Sequence, residues 1–337
     1  MTRQIDTIPP LARDLINRYQ GGFPLCERPF AEVAGQLGVP ECEVLDCLES
    51  LLEQGHLSRF GPLFNAERLG GGLSLAAMSV PEARFDQVAN LVGRMPEVAH
   101  NYRREHRLNM WLVVATERQD RVDEVLAAIE AATGLPVLNF PKQREFYLGL
   151  WLELDATGGV RTRPIPVDSP TQDHKEKGPA PDELDRRLIA ATQAGLPLVP
   201  MPYQAVAEQL GIAPREPIER LARLLAYGAI RRIGAVPNHY RLGLRGNGMS
   251  VWDIPEAELD IAAPAVAELG CVSHCYTRPR HLPHWPYNLF AMVHGPDRPA
   301  VMARVAEVAQ AIDGRCRAHD LLFSTAILKK TGLRIAA

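Results

Sequence analysis

The apolar and polar positions of this 337-residue chain run through one pattern twice. Apolar residues at helical spacing mark PLARDLINRYQ, RPFAEVAGQLG and PECEVLDCLESLLEQG as three short helices; Gly38 ends the second, Pro40 opens the third and Gly55 stops it. The tight L-G-V-P turn between the last two has the helix-turn-helix shape, and the strand-like HLSRFGPLFN supplies a wing. A βαββαβ series follows. GLSLAAMSV reads as a strand, ARFDQVANLVGRM as a helix, VAHNYRREH with LNMWLVVAT as a hairpin, QDRVDEVLAAIEAATG as a second helix and REFYLGLWLEL as the closing strand. The whole order then returns. AEVAGQLGV from Ala31 reappears as QAVAEQLGI from Gln204, LLEQGHLSRFG from Leu51 as LLAYGAIRRIG from Leu224, and GMSVWDI, ELDIAAPAVAEL, CVSHCYTRPR with YNLFAMVHG, RPAVMARVAEVAQAI and DLLFSTAILKK complete the second copy.

The pattern predicts an α+β tandem duplication, each half a winged helix-turn-helix domain followed by a ferredoxin-like βαββαβ domain. The expected divisions are a winged-helix-like domain at 1–65, a ferredoxin-like domain at 66–154, a linker at 155–181, a second winged-helix-like domain at 182–240 and a second ferredoxin-like domain at 241–337. In a ferredoxin-like sheet two helices cover one face, and the other face needs a partner. The two halves of one chain could supply that partner to each other, as an internal pseudo-dimer open to further oligomerisation.

Composition adds exclusions. With 46% hydrophobic and 23% charged residues the chain has an ordinary globular balance, and its formal charge of −3 gives no push toward nucleic acid or an anionic membrane. No apolar run is long enough to span a bilayer. MTRQIDTIPPLARDL lacks the apolar core and cleavage site of an export signal, so a cytoplasmic protein is expected. Six cysteines without a CxxC pair read as reduced thiols. The first helix-turn-helix argues against DNA: residues 27–59 hold Glu27, Glu32, Glu41, Glu43, Asp46, Glu49 and Glu53 against Arg28 and Arg59. The second is more basic, with Arg215, Arg220, Arg223, Arg231 and Arg232, but one basic module does not make a symmetric two-site reader.

The candidate chemistry lies in the repeated hairpins. Alternation along a strand puts His100, Tyr102, Arg104 and His106 on one face, and His274, Tyr276, Arg278 and Arg280 on one face of the second copy. Leaving such groups buried and unpaired costs roughly 1 to 3 kcal/mol apiece, which favours a polar cavity or a ligand over a dry interface. Cys271, His274 and Cys275 do not converge on one ion, because the two thiols face away from His274. Arg103, Arg104, Arg107, Arg278 and Arg280 offer forked donors for carboxylates, the histidines can ligate iron or donate protons, and Trp111, Trp285, Phe290 and Met292 add apolar surface. Together they suit a tetrapyrrole carrying many carboxylates.

Winged helix followed by ferredoxin-like domain resembles the leucine-responsive/AsnC regulators over nearly the whole chain except the linker. More narrowly, NYRREHRLNMW and HCYTRPRHLPHWPYNLF, followed by MVHG, resemble the signature segments of the two subunit types of siroheme decarboxylase, joined here in one polypeptide. A roughly five-residue insertion within PRHLPHWPY makes the second site unlike the first. The resemblance implies non-oxidative removal of carbon dioxide from the two acetate side chains of siroheme, toward haem d1 or haem, with no cofactor beyond the iron tetrapyrrole substrate. By this analogy His106, with His100 behind it, is the acid or iron-facing group of the first copy, and His274 and His281 are the candidates of the second, with the iron ligated by His106 or His281. Arg104, Arg278 and Arg280 would clamp carboxylates, Tyr102 and Tyr276 would orient them, and Arg103, Arg107, Trp111 and His284 would complete the binding set. Lys142, Arg144, Lys329 and Lys330 could reach the rim, though a solvated face also accounts for them. A tetrapyrrole-sensing regulator and a haem carrier remain the alternatives.

Overall fold

The computed structural model describes residues 8–163, 165 and 180–330. In the first half α1 (Pro10–Arg18), α2 (Pro29–Leu37) and α3 (Glu41–Glu53) precede the wing strand β1 (Leu57–Phe64). Then come β2 (Gly72–Met78), α4 (Phe85–Gly93), β3 (Val98–Arg104), β4 (Met110–Thr116), α5 (Arg121–Thr133) and β5 (Val137–Pro141). Strands β6 (Arg144–Leu148), β7 (Trp151–Leu154) and β8 (Val160–Arg163) lead across to the second half. There α6 (Glu183–Thr192), α7 (Pro202–Leu210), α8 (Glu216–Ala226) and the wing β9 (Ile230–Pro237) are followed by β10 (Gly246–Asp253), α9 (Leu259–Ala267), β11 (Val272–Thr277), β12 (Leu289–Gly295), α10 (Arg298–Ile312) and β13 (Ala318–Lys330). The duplicated α+β architecture is as the sequence pattern implies.

The closing strand of the first half differs from expectation. VLNFP, not REFYLGLWLEL, pairs with β2. Pro141 has no N–H to continue that ladder, and the chain passes on through Lys142 and Gln143 into REFYL, which pairs with β11 of the other half. WLEL pairs instead with β8, inside the stretch expected to be linker; residues 166–179 of that linker lie outside the described residues. In the second half the long β13 does both jobs in one strand. Its first part pairs with β10 of its own half and its second part with β3 of the other.

The resulting sheet has nine strands in the order β5-β2-β4-β3-β13-β10-β12-β11-β6. Its two end strands, β5 and β6, are consecutive in the chain, so the sheet curls back on itself. The helices cover it outside: α4 and α5 on the first half, α9 and α10 on the second, each over its own apolar cluster. A third cluster lies between the inner faces and mixes the halves, with Trp111 and Phe140 against Trp285 and Phe290. This is how the unpartnered sheet faces are buried.

The winged helices interlock too. β1 pairs with β9 across the halves, and the segment after α1 bonds to β9 through Ala235 N to Tyr19 O at 2.7 Å and Phe23 N to Ile233 O at 3.1 Å. Leu196 N donates to Phe60 O at 2.8 Å in the reciprocal place. The Gln20 carboxamide, fully buried, donates to Leu152 O and accepts from Leu152 N, and Asn17 does the same with Leu154, so two side chains extend the edge of β7. Backbone runs so close to the wings that only glycine fits. A Cβ on Gly234 (φ +153) would stand 2.1 Å from Tyr19 O, and one on Gly61 (φ +147) 2.9 Å from Leu196 N. Gly234→Ala is expected to cost more than about 1 kcal/mol of stability, and more than Gly61→Ala; denaturant midpoints of the two variants check the order.

Candidate functional site

Two β-bulges aim the polar stripe. Regular alternation would set Val98 and Tyr102 on one face, yet Val98 packs under the helices and Tyr102 packs between the sheets. A register shift between Val98 and His100 makes the change, and one between Val272 and His274 repeats it in the second half. His100 and His274 are thereby turned to the same inter-sheet cavity of about 380 Å³, within the range of small-molecule sites.

The cavity is built by both halves. The first wing and the turn after it contribute Leu63, Phe64 and Glu67; the inner faces of β2 and β4 contribute Leu73, Leu75 and Val113; the second half contributes Arg231 and Arg232 of β9, His274 and Tyr276 of β11 and Arg278 just past it. Lys142, Leu148 and Ile165 enter from the crossing chain. Four cationic side chains thus line the cavity, and two carboxylates, Glu67 and Glu145, take up two of them. Lys142 is held by Glu67 at 2.6 Å and Glu145 at 2.5 Å, and Arg231 lies 3.6 Å from Glu145.

Among the described residues no carboxylate pairs with the other two guanidiniums. Arg232 is 7% exposed and donates to Leu150 O at 3.3 Å, with Nη1 buried and unpartnered. Burial, with Arg59 nearby, pushes its pKa down to about 10. Arg278, 8% exposed, donates to Phe140 O and lies over the Tyr276 ring, with Nε unpartnered. Arg104 repeats this arrangement in the first half: it donates to Leu322 O at 2.7 Å, lies over Tyr102 and leaves Nε unpartnered. Burial pushes Arg104 down to about 10 and Tyr102 up to about 12. Burial also drives His100 down to about 4, helped by Lys330, and His274 down to about 4, helped by Arg231. Both rings are therefore neutral at pH 7, beside guanidiniums with hydrogen-bonding capacity to spare.

The remaining candidates lie apart from this cavity's lining. His106 sits past the end of β3, its Nδ1 accepting from Leu108 N at 2.9 Å, its Nε2 3.7 Å from Asp320 and its ring edge-on to Trp285. Burial lowers its pKa against the pull of Asp320. His281 holds Asn139 O at 2.7 Å, and His284 is exposed. Arg103 is paired with Glu82 and lies over Phe85; Arg280 is taken up by Asp253, Glu256 and two carbonyls; Arg107 is exposed. Trp111 is fully buried and donates to Leu108 O at 2.7 Å. Arg144 pairs with Asp260 on the outside, and Lys329 bonds Met95 O. Cys271 and Cys275 lie in the cluster under the helices, away from the inward-facing His274. Sequence reasoning does not assign Arg231 and Arg232 to the site. Their signal is a paired Arg-Arg where the first copy has Ser58-Arg59, and it enters the sequence reading only as part of the second module's basic balance.

Comparison with known proteins gives a consistent picture. The AsnC-like ligand binding domain family matches residues 69–147 and 241–329, and the siroheme decarboxylase NirDL-like HTH domain family matches 12–57 and 185–231. The siroheme decarboxylase NirDL subunit of Paracoccus denitrificans (strain Pd 1222) is 36% identical over 98% of either chain. The NirH subunit of Paracoccus pantotrophus is 53% identical over 46% of this chain and 97% of its own. The crystal structure of the siroheme decarboxylase NirDL in co-complex with an iron-uroporphyrin III analogue superposes with a TM-score of 0.69 at 27% identity, covering 95% of this chain and 92% of that one.

The buried imidazoles make a pH prediction. Their folded pKa values lie below the ordinary 6.5, so on acidification the unfolded chain takes up protons first. Their contribution is intact above 6.5 and is lost as pH falls from 6.5 toward about 4, levelling off once the folded rings protonate as well. The double variant His100→Gln, His274→Gln is expected to lose less stability across this window than the parent, as read by denaturant midpoints at a series of pH values.

Proposed function

This chain belongs to the siroheme decarboxylase family, and on that premise we propose that it removes carbon dioxide from the two acetate side chains of siroheme in the cavity between its sheets. The observation that carries the assignment is the pair of buried guanidiniums, Arg232 and Arg278, with unpartnered nitrogens beside the neutral rings of His100 and His274. An unpaired buried cation is costly, and a ligand rich in carboxylates removes that cost. The apolar wall of Leu63, Phe64, Leu73, Leu75 and Val113 suits the face of a macrocycle.

The chemistry asked of these side chains is limited. The iron tetrapyrrole is the substrate and supplies the electron sink, with no further cofactor. The guanidiniums fix carboxylates, Tyr276 orients one of them, and an imidazole delivers the proton that completes each methyl group. We assign the acid role to His100 and His274 rather than to His106 and His281, which do not line this cavity.

The chain works as an internal pseudo-dimer on this reading, since both halves line one cavity. DNA is not its partner. α3 carries Glu41, Glu43, Asp46, Glu49 and Glu53 and no basic residue. The basic residues of the second module have other commitments: Arg215 to Glu27, Arg220 and Arg223 to Asp182 and Asp185, and Arg231 and Arg232 to the cavity.

Anaerobic incubation of the purified chain with siroheme, followed by mass spectrometry, is expected to show loss of two carbon dioxide units. Bound but unconverted siroheme would instead indicate a sensor, and transfer without a mass change a carrier. Arg232→Gln and Arg278→Gln are each expected to weaken siroheme binding by at least roughly 30-fold, the scale for removing one partner of a buried charge pair. Unchanged binding in both would remove this cavity as the site.

A further inference from the structure

His274 reaches the cavity with one ring nitrogen already engaged. Ser273 Oγ stands 2.7 Å from His274 Nδ1 and 2.6 Å from His294 Nε2, so a single hydroxyl bridges two imidazoles. Ser273 occupies the bulge between Val272 and His274, which lets these sequence neighbours meet. His294, on β12, is 3% exposed and has its Nδ1 buried without a partner. The ring of His239 lies edge-on to it at 5.0 Å between centroids.

The duplication supplies an internal control. The positions equivalent to Ser273, His294 and His239 hold Ala99, Ala115 and Ala66, as the repeat alignment and the parallel registers of β2–β4 and β10–β12 show. In that half His100 Nδ1 has no hydrogen-bond partner. The same strands therefore form without these polar groups, so the fold does not require them. Burying polar groups that the fold does not need is unfavourable, which points to a use.

A serine hydroxyl has one proton, and Met292 O stands farther off at 3.4 Å than either ring nitrogen, so the hydroxyl donates to one ring and accepts from the other. Orphaned buried N–H groups are the rarer kind of unsatisfied group, which favours a bare Nδ1 on His294. His294 Nε2–H then donates to Ser273, Ser273 donates to His274 Nδ1, and His274 carries its own proton on Nε2.

We propose that Ser273 and His294 are positioning residues that form a proton relay recharging His274 from solvent during decarboxylation. The inference rests on the reading of the cavity as the decarboxylation site. Loss of carbon dioxide leaves an electron pair on the side-chain carbon, which takes the proton of His274 Nε2. The Ser273 hydroxyl proton passes to His274 Nδ1, the His294 Nε2 proton passes to Ser273, and His294 Nδ1, closed to solvent in this structure, takes a proton from a hydronium ion when local opening admits water. One proton is consumed and both rings end neutral, in the opposite tautomer. They return when the emptied cavity readmits water to His274 Nε2 and the same steps run backward. Burial, with His239 and His274 beside it, holds the pKa of His294 well below its ordinary value, so the ring passes a proton on rather than keeping it.

The test uses the full chain with iron uroporphyrin for binding and siroheme for single-turnover decarboxylation. Alanine stands at both equivalent positions of the first half, so Ser273→Ala and His294→Ala are compatible with the strands. Each is expected to bind iron uroporphyrin as the parent does and to decarboxylate about 100-fold more slowly. The double variant should be no slower than either single one, because a broken relay is broken once. An undiminished rate in Ser273→Ala, weakened porphyrin binding that accounts for the rate loss, or fully multiplicative losses in the double variant would each overturn the relay. His274→Gln separates the two readings. If it turns over at the parental rate the cavity assignment itself falls, whereas a slow His274→Gln beside a fast Ser273→Ala removes the relay alone.

Discussion

The strands that pair with both halves are the constraint from which the site follows. β13 runs from β10 onto β3, and the β5–β6 stretch runs from β2 onto β11. A ferredoxin-like sheet alone would leave its inner face in water. Crossing strands fix the two inner faces against each other and bury Trp111, Phe140, Trp285 and Phe290 between them. Aromatic side chains of this size dominate such an interface. The residues that do not pack, chiefly His100, His274 and Arg278, are left lining a cavity instead of a seam. Register decides which residues these are, and the bulges at Ala99 and Ser273 set that register.

Duplication makes the molecule symmetric in its backbone but not in its chemistry. Arg104 and Arg278 make matching bonds to Leu322 O and Phe140 O, and each lies over the tyrosine two residues before it. Around them the halves diverge. Ala66 and Glu67 of the first wing are replaced by His239 and Tyr240 in the second, and the partner opposite the inward histidine is Leu148 in one case and Lys330 in the other. Lys330 lies over the Tyr240 ring, and Asn247 donates to the Tyr240 hydroxyl. At these positions the first wing thus offers the small Ala66 and the Lys142-bound Glu67, and the second offers the rings of His239 and Tyr240. One fold presents two different surroundings to the same His-Tyr-Arg motif.

Much of this was legible in the sequence. The helix-turn-helix, the βαββαβ order and the inward His-Tyr-Arg stripe all follow from periodicities that local packing enforces. Three things were not. VLNFP is a short apolar run with little to mark it as a closing strand, and REFYL reads as one although it belongs to the other half's sheet edge. A single sequence does not show which half a strand will join. Arg232 shows in the sequence only as one of the second module's basic residues, because its place at the cavity depends on how the wings cross. His294 was hidden in the apolar stretch YNLFAMVHG, where its burial was evident and its partner Ser273, on a neighbouring strand, was not.

The winged helices acquire their role from the same geometry. Their third helices are either acidic, as α3 is, or have their arginines spent on internal ion pairs, as in α8. The duplex would therefore meet repulsion at one module and committed cations at the other. The wings, however, reach the cavity: Leu63, Phe64 and Glu67 from β1 and the turn after it, Arg231 and Arg232 from β9. β1 and β9 can do this because they pair with each other, and that pairing depends on Gly61 and Gly234 letting the opposite half's backbone lie against them. A module shaped for the major groove thus forms one wall of a cavity. Arg231 and Arg232 face inward to it rather than outward.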